Sequence, residues 1–462
     1  MVATPRAGSP NRSQHANLLL DYPDLLPPAI AACTDDPEPR VGSGPFSPGF
    51  HLPEAGDDVR EFFSAATARW QELGHYQDHR VTLLDLTGNP GTQTTKTFAS
   101  LLIVARAVEY IRRSGESVMI FSPTSANKGT ALRDAVLRAL DAGLAEPEQL
   151  RVATVAPRGC LPKLRGSRLS TDPELRALNP VLVYPGAEPE GVKAIGREFA
   201  DRDADRLFAE QGCRLWFSLE LANYLVADTA RAFFEQAVDP IRADGPQRLH
   251  AHAVSSAFGL LGYHKGLDVL ESVGRFDPAL RPASLLVQHL GTPDMVLNLR
   301  HGDFDRASLP AYTMDGGLYR QDSDLRFPQT TFDPDEVLDP TFYTHSPATS
   351  PAMNAIIKGH GGDGIVVSLH ECLERYPFVR QWLAPTGRPL PADPRTLREW
   401  SLTMALTGVL NAVDRDLVDP GRDLVVHGSG SYTTADYEPL AADAVTEVRD
   451  AGDIAAALLG SR

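Results

Sequence analysis

VTLLDLTGNPGTQTTKTFASLLIVARAVEYIRRSGESVMIFSPTSANKGTALRDAVLRALDAGL, residues 81–144, decides the architecture. VTLLDL (81–86) is a short apolar run ending in a loop of Gly, Pro and Thr. KTFASLLIVARAVEYIRR then sets Phe98, Leu101, Leu102, Ala105, Val108 and Ile111 at helical spacing. SGES makes a turn, SVMIF (117–121) is a second strand, and the loop SPTSAN feeds a second helix, KGTALRDAVLRALDAGL. A third strand, RVATVAP (151–157), follows. Strand, loop and helix in repetition predict an α/β fold: a parallel sheet with helices on its faces.

Upstream, residues 1–50 carry Pro23, Pro27, Pro28, Pro37, Pro39, Pro45 and Pro48 without sustained periodicity, and read as an extended arm. The start, MVATPRAGSPNRSQHANLL, is polar and reads as a loose leader rather than a targeting segment. DDVREFFSAATARWQEL (57–73) places Phe62, Phe63, Ala66 and Trp70 on one side of a predicted helix. Downstream, a polar stretch (158–190) interrupts the alternation, and helical segments resume over 191–237. RLHAHAV (248–254), ASLLVQHL (283–290) and DLVVHGSGSY (423–432) read as strands, the last entering a Gly/Ser turn. Residues 300–350 look like an irregular insertion covering a site, with Arg300, His301, Asp303, Tyr312 and Tyr319 as candidates for substrate choice, and 351–416 reads as mainly helical.

A chain of 462 residues suits two α/β domains. Its net charge of −16 argues against nucleic acid or anionic lipid as a partner. Cys33, Cys160, Cys213 and Cys372 are scattered and form no metal-ligand spacing, and no apolar run is long enough to span a bilayer. Reduced thiols in a cytoplasm are the simplest reading. His250 and His252 alternate on one strand face and lack a third ligand, so no metal is expected. His360, in KGHGGDG, reads as part of a left-handed turn.

The loop around Lys96 has two functional meanings. As a phosphate cradle of the form G-x-x-x-x-G-K-[ST], it places Pro90 and Thr95 where both glycines belong, so the backbone cannot bend around phosphate oxygens. As a reactive lysine at a helix start, Lys96 sits at the positive end of the helix dipole and partly out of water, which favours the neutral amine. A solvated lysine in a first helical turn is the plain alternative.

From here the sequence resembles the fold-type II pyridoxal 5′-phosphate (PLP) enzymes, nearest to threonine synthase, over roughly residues 80–435. NPGTQTTKT (89–97) resembles the family's lysine loop N-P-T-G-S-F-K-D, with Asn89, Pro90, Thr94 and Lys96 in matching places and one extra residue. TSANKGTA (124–131) resembles S-S-G-N-T-G-x-A, with Ala126 replacing a glycine. VSSAFGLLGYHKGL (254–267) resembles the phosphate loop V-G-N-G-S-G-L-L-G-I-H-K-G-F and keeps Gly259, Leu260, Leu261, Gly262, His264, Lys265 and Gly266, while Ser255, Ser256, Ala257 and Phe258 depart from it. VVHGSGSY (425–432) resembles the strand and turn whose hydroxyl meets the pyridine nitrogen.

The resemblance implies two domains of open twisted sheets with helices on both faces and PLP in the interdomain cleft. It implies an arm over 1–50, a large PLP-binding domain over 51–100 and 240–462, and a small domain over 101–239. Lys96 would hold the cofactor as a Schiff base and then serve as the base at the α-carbon. Asn127 would meet the 3′-oxygen, Ser255, Ser256, Ala257, Phe258 and Gly259 the phosphate, and His427 or Ser429 the ring nitrogen. Thr94, Thr95, Thr124, Ser125 and Ala126 would bind an amino-acid substrate. The implied activity is a carbon–oxygen lyase or replacement synthase acting at Cβ or Cγ, in a specialised biosynthetic pathway, as a homodimer. A nucleotide-binding ATPase using the Lys96 loop and a silent ligand-binding relative are the alternatives.

Overall fold

The computed structural model describes residues 13–460 apart from 43 and 343, so the leader reading of residues 1–12 lies outside the described residues. The chain forms two compact units that interleave in sequence. The first takes the residues up to Ala16, Thr67–Gly88 and Asp228–Thr434; the second takes Asn17–Ala66, Asn89–Ala227 and the chain from Ala435 onward. Both are α/β, with helices packed on open sheets.

The first unit holds a seven-stranded sheet in the order Gln14–Asn17, Thr67–Tyr76, His79–Asp85, Asp423–Gly428, Arg248–Ala253, Ala283–His289 and Gly362–Val367. From His79–Asp85 onward the pairs are parallel. Asp423–Gly428, Arg248–Ala253 and Ala283–His289 are buried along their whole length. Burial on both faces suits the apolar runs at 424–426 and 285–287, whereas Arg248–Ala253 (RLHAHA) alternates, with Arg248, His250 and His252 buried on one face. The core gathers Val81, Leu83, Leu249, Leu285, Leu406 and Leu424.

The second unit holds five parallel strands in the order Val445–Glu447, Val181–Tyr184, Leu150–Pro157, Ser117–Pro123 and Cys213–Phe217. The chain steps outward from Ser117–Pro123 through the next two strands, then returns to add Cys213–Phe217 on the opposite side. The strand order therefore reverses beside Ser117–Pro123. The carboxyl ends at such a reversal are where open α/β sheets bind ligands.

The predicted helix over 57–73 is half correct. The helix Asp57–Phe63 ends at Ser64, and Thr67–Tyr76 is a strand antiparallel to His79–Asp85. Trp70 projects from it edge-on to Phe234, with ring centroids 6.4 Å apart. The alternation of buried Ala68 and Trp70 with less buried Thr67 and Arg69 carries the strand period, which the helical spacing of Phe62, Ala66 and Trp70 masks. The strands Cys213–Phe217 and Gly362–Val367 lie inside stretches read as helical. His360 is the last residue of the helix Ser350–His360, and Gly361 (φ +89°, ψ 170°) joins it directly to the strand Gly362–Val367, so the left-handed turn expected around His360 is a helix end followed at once by a strand. Among the described residues no helix is long and apolar enough to cross a membrane, and no group of three or more His, Cys, Asp or Glu side chains could hold a metal.

Candidate functional site

In the second unit, Lys96 opens the helix Lys96–Ser114, which Gly115 ends in a left-handed cap at φ +73°. The loop before it is clamped from two sides. Asn89 donates from Nδ2 to Asp134 (2.8 Å) and to Thr97 (3.3 Å), while its Oδ1 accepts from the Gly91 N–H (3.0 Å) and from Arg138 (3.1 Å). Arg165 donates to the carbonyls of Pro90, Gly91 and Thr92 at 2.9–3.1 Å and to Gln93 Oε1 at 3.1 Å. Lys96 is half-buried, with Nζ 6.0 Å from the centroid of the Tyr224 ring. Thr94 is buried, and its Oγ1 has no hydrogen-bond partner among the described residues. Thr95 stands at the position before the first helical residue and is half-buried.

Thr124, Ser125 and Ala126 leave the strand Ser117–Pro123 and enter the helix Asn127–Asp141. Thr124 Oγ1 accepts from the Gly129 N–H at 2.7 Å, which ties the loop to the first helical turn. Ser125 and Asn127 are half-buried, and Ala126 is fully buried.

This unit contains a residue that the sequence reading passed over. Lys128 is 7% exposed, and its Nζ lies 5.5 Å from the same Tyr224 ring and 3.5 Å from both the carbonyl and the hydroxyl of Ser218. Burial, and then the charge of Lys96, pull the Lys128 ammonium down to about 7. Lys128 replaces a threonine of the resembled motif, and that substitution was a readable signal. Arg165 left none, because it acts from about seventy residues away in sequence.

In the first unit, the loop after Arg248–Ala253 leads into the helix Phe258–Ser272, with Ser255, Ser256 and Phe258 half-buried and Ala257 buried. The Ser256 carbonyl accepts from Thr349 at 2.7 Å. First-turn N–H groups of a helix have no intrahelical acceptor and attract anions. Gly259 is required here, because an added Cβ would lie 2.4 Å from His252 Cε1 and 2.5 Å from Arg231 Nη1.

Three of the six non-glycine residues at positive φ among the described residues sit in these loops: Gln93 (52°), Ala126 (80°) and Ala257 (51°). Alanine at such angles is strained by roughly 1–3 kcal/mol. Ala126 and Ala257 stand where the resembled motifs carry glycine, so the turn geometry persists after the glycine is lost.

His427 lies at the end of the strand Asp423–Gly428 and is 0% exposed. Arg231 Nη1 donates to its Nδ1 at 3.0 Å, and its Nε2 is 2.9 Å from His250 Nδ1. His250 Nε2 lies 3.3 Å from Glu235, which also accepts from Arg248 at 2.6 Å and from the Tyr263 hydroxyl. A guanidinium only donates, so His427 and His250 each accept at Nδ1 and carry the proton at Nε2. Both His427 nitrogens are thereby engaged within the unit. Ser429, two residues on, is 7% exposed.

Burial, reinforced by Arg231 and the neighbouring histidines, holds the His427 pKa well below 6.5. Burial alone would raise the Glu235 carboxyl, but His250, Arg248 and Tyr263 outweigh it and hold it at about 2. The sign follows from linkage. The unfolded chain takes up a proton on His427 below about pH 6.5 that the folded chain refuses, and one on Glu235 below about pH 4.5. These two groups should therefore make stability fall progressively below pH 6.5. Urea denaturation at a series of pH values measures this, and equal stability at pH 7 and pH 5 would contradict it.

Arg300, His301 and Asp303 of the insertion are exposed. Tyr312 donates to the Pro328 carbonyl at 2.9 Å and packs on the cluster around Phe327, so it supports the fold.

The sequence of residues 14–462 matches a family model described as a family of unknown function, DUF6002. No curated protein matches the chain. Among solved structures, it is similar to threonine synthase from Escherichia coli, with 14% identity, coverage of 97% of this chain and 100% of that one, and a TM-score of 0.54. It is also similar to PLP-bound threonine synthase from Brucella melitensis, with 11% identity, coverage of 95% and 96%, and a TM-score of 0.52. At these identities the likeness establishes the fold.

Proposed function

This chain belongs to DUF6002, a family without an assigned reaction, and we propose that it is a PLP-dependent lyase or replacement synthase acting on an amino acid with a leaving group at Cβ or Cγ. The observation that carries the reading is Lys96 itself. It opens a helix behind a loop clamped by Asn89 and Arg165, beside an aromatic ring, in a unit whose strand order reverses at Ser117–Pro123.

The residues fit the cofactor in kind. Ser255 and Ser256 hydroxyls with the first-turn N–H groups of Phe258–Ser272 suit a phosphate. Gly259, held Cβ-free by Arg231 and His252, keeps that turn close. The buried Thr94 hydroxyl, without a partner among the described residues, is a donor awaiting an acceptor. Retention of positive φ at Ala126 and Ala257 despite the strain argues against a silent, eroded relative.

When bound, PLP supplies an electron sink for charge developing at the α-carbon. In this reading Lys96 would be the attachment point, and its amine would be the base for the α-proton. Thr94, Thr95, Thr124, Ser125 and the start of the helix Asn127–Asp141 would orient the substrate carboxylate, and Asn127 would be the residue to meet the cofactor's 3′-oxygen. Of the two candidates for the ring nitrogen, Ser429 would be the one to offer a neutral hydroxyl, since both nitrogens of His427 are engaged by Arg231 and His250. A cytoplasmic homodimer suits the acidic chain and its scattered thiols.

The test is chemical. Protein incubated with PLP and reduced with borohydride should carry one adduct, on the peptide containing Lys96. No adduct, or an adduct confined to another lysine, ends the proposal.

A further inference from the structure

Ser350, in the first unit, opens the helix Ser350–His360 and is 0% exposed. Its Oγ has no hydrogen-bond partner among the described residues, and a buried hydroxyl in that state costs the folded chain unless a ligand satisfies it. The next helical turn does not take it up: Asn354 donates to Asn298 at 2.7 Å instead.

This helix end is also short of backbone donors. The Ser350 N–H is spent on the Pro347 carbonyl at 3.0 Å, and Pro351 has no N–H to give. The Ser350 hydroxyl is therefore the first donor that the positive end of the helix can present. Its place is set by the preceding residue, Thr349, whose hydroxyl donates to the Ser256 carbonyl at 2.7 Å. That bond brings the start of Ser350–His360 beside the Ser255–Gly259 loop, within one unit. It also engages the Ser256 carbonyl oxygen, which would repel an anion. Gly259 of the same loop packs on the buried Arg231 guanidinium, where an added Cβ would lie 2.5 Å from Nη1. Two helix starts and an orphaned hydroxyl thus adjoin a single loop.

We propose that Ser350 is a phosphate-binding residue: its hydroxyl donates to the same phosphate that Ser255, Ser256 and the first turn of Phe258–Ser272 would hold. The cradle then has two walls, one from each helix. This rests on the reading of the Ser255–Gly259 loop as a phosphate site. A charged acceptor suits the orphaned donor, because hydrogen bonds to an ionised oxygen are shorter and stronger than neutral ones.

Inorganic phosphate is the probe, and the readout is the rise in urea midpoint over chloride at equal ionic strength. Phosphate should raise the wild-type midpoint. Ser350→Ala removes the orphaned donor and keeps the helix, so in chloride its midpoint should equal or exceed the wild-type value. Its phosphate affinity should fall about tenfold. Ser350→Cys fills the same space with a weak donor and should lose affinity in the same way. Equal phosphate affinity in the wild type and Ser350→Ala overturns the proposal, and so does a wild-type midpoint that phosphate leaves unmoved. A merely structural serine would lower the midpoint in chloride and leave the phosphate rise intact, which overturns it as well.

Borohydride mapping with PLP separates this from the cofactor reading. An adduct on Lys96 together with equal phosphate affinities ends the role of Ser350 and leaves the cofactor reading standing. A tenfold loss in Ser350→Ala without any adduct on Lys96 ends the cofactor reading and leaves the anion site standing.

Discussion

Lys96→Ala should abolish covalent attachment of PLP and reduce turnover of any accepted amino acid by about 10³-fold or more. The loss is larger than a binding defect because one side chain serves twice, as anchor and as base. Non-covalent retention of PLP should survive, since Ser255, Ser256 and the first turn of Phe258–Ser272 lie in the other unit and are untouched. The fold should survive too: Lys96 is half-buried at a helix start, where alanine is a good helix former. Equilibrium dialysis, borohydride mapping and circular dichroism separate these effects. A Lys96→Ala protein that still yields a reduced adduct and full turnover would remove Lys96 from the chemistry.

Glu235→Ala should cost about 3–5 kcal/mol of stability, the range for breaking a buried ion pair by removing one partner. Glu235 is 0% exposed and is shared by Arg248, His250 and Tyr263. Its removal strands a guanidinium, a ring N–H and a hydroxyl in the interior. Arg248 keeps Asp239 at 3.1 Å, which places the expected cost toward the lower end of the range. Glu235→Gln keeps the shape and one acceptor, and should lose less. Shifts in the urea midpoint measure both, and a Glu235→Ala midpoint within error of wild type would show that the chain from Arg231 to Glu235 does not hold the first unit together.

The legible parts of this protein were those written in local periodicity. The strands at 81–86, 117–121, 151–157, 283–290 and 423–428 were readable from short apolar runs set between turn residues, and 248–254 from its alternation. The helix starting at Lys96 was readable from spacing, and the helix stop after His360 from its glycines. Thr67–Tyr76 was misread because Phe62, Ala66 and Trp70 also fit a helix. Gly362–Val367 hid behind two glycines and an aspartate.

The site divides in the same way. Lys96, Thr94, Asn127 and the Ser255–Gly259 loop could be singled out from sequence because each lies where a strand gives way to a helix, and that junction is a local event. His427 was singled out by its position, yet its ring proved committed on both nitrogens, which only partners 177 and 196 residues away could reveal. Arg165, which holds four groups of the lysine loop, is 72–75 residues from them. The two amines beside Tyr224 became a pair only when Ser117–Pro123 and Cys213–Phe217 were laid side by side.

By itself the sequence determined the alternation of strands and helices and the chemistry available at each junction, because backbone periodicity and turn residues act over a few positions. Tertiary structure alone decided which charges are buried, which are paired and which amine lies beside Lys96. Desolvation and Coulomb forces depend on distance through space, and the chain order does not record it.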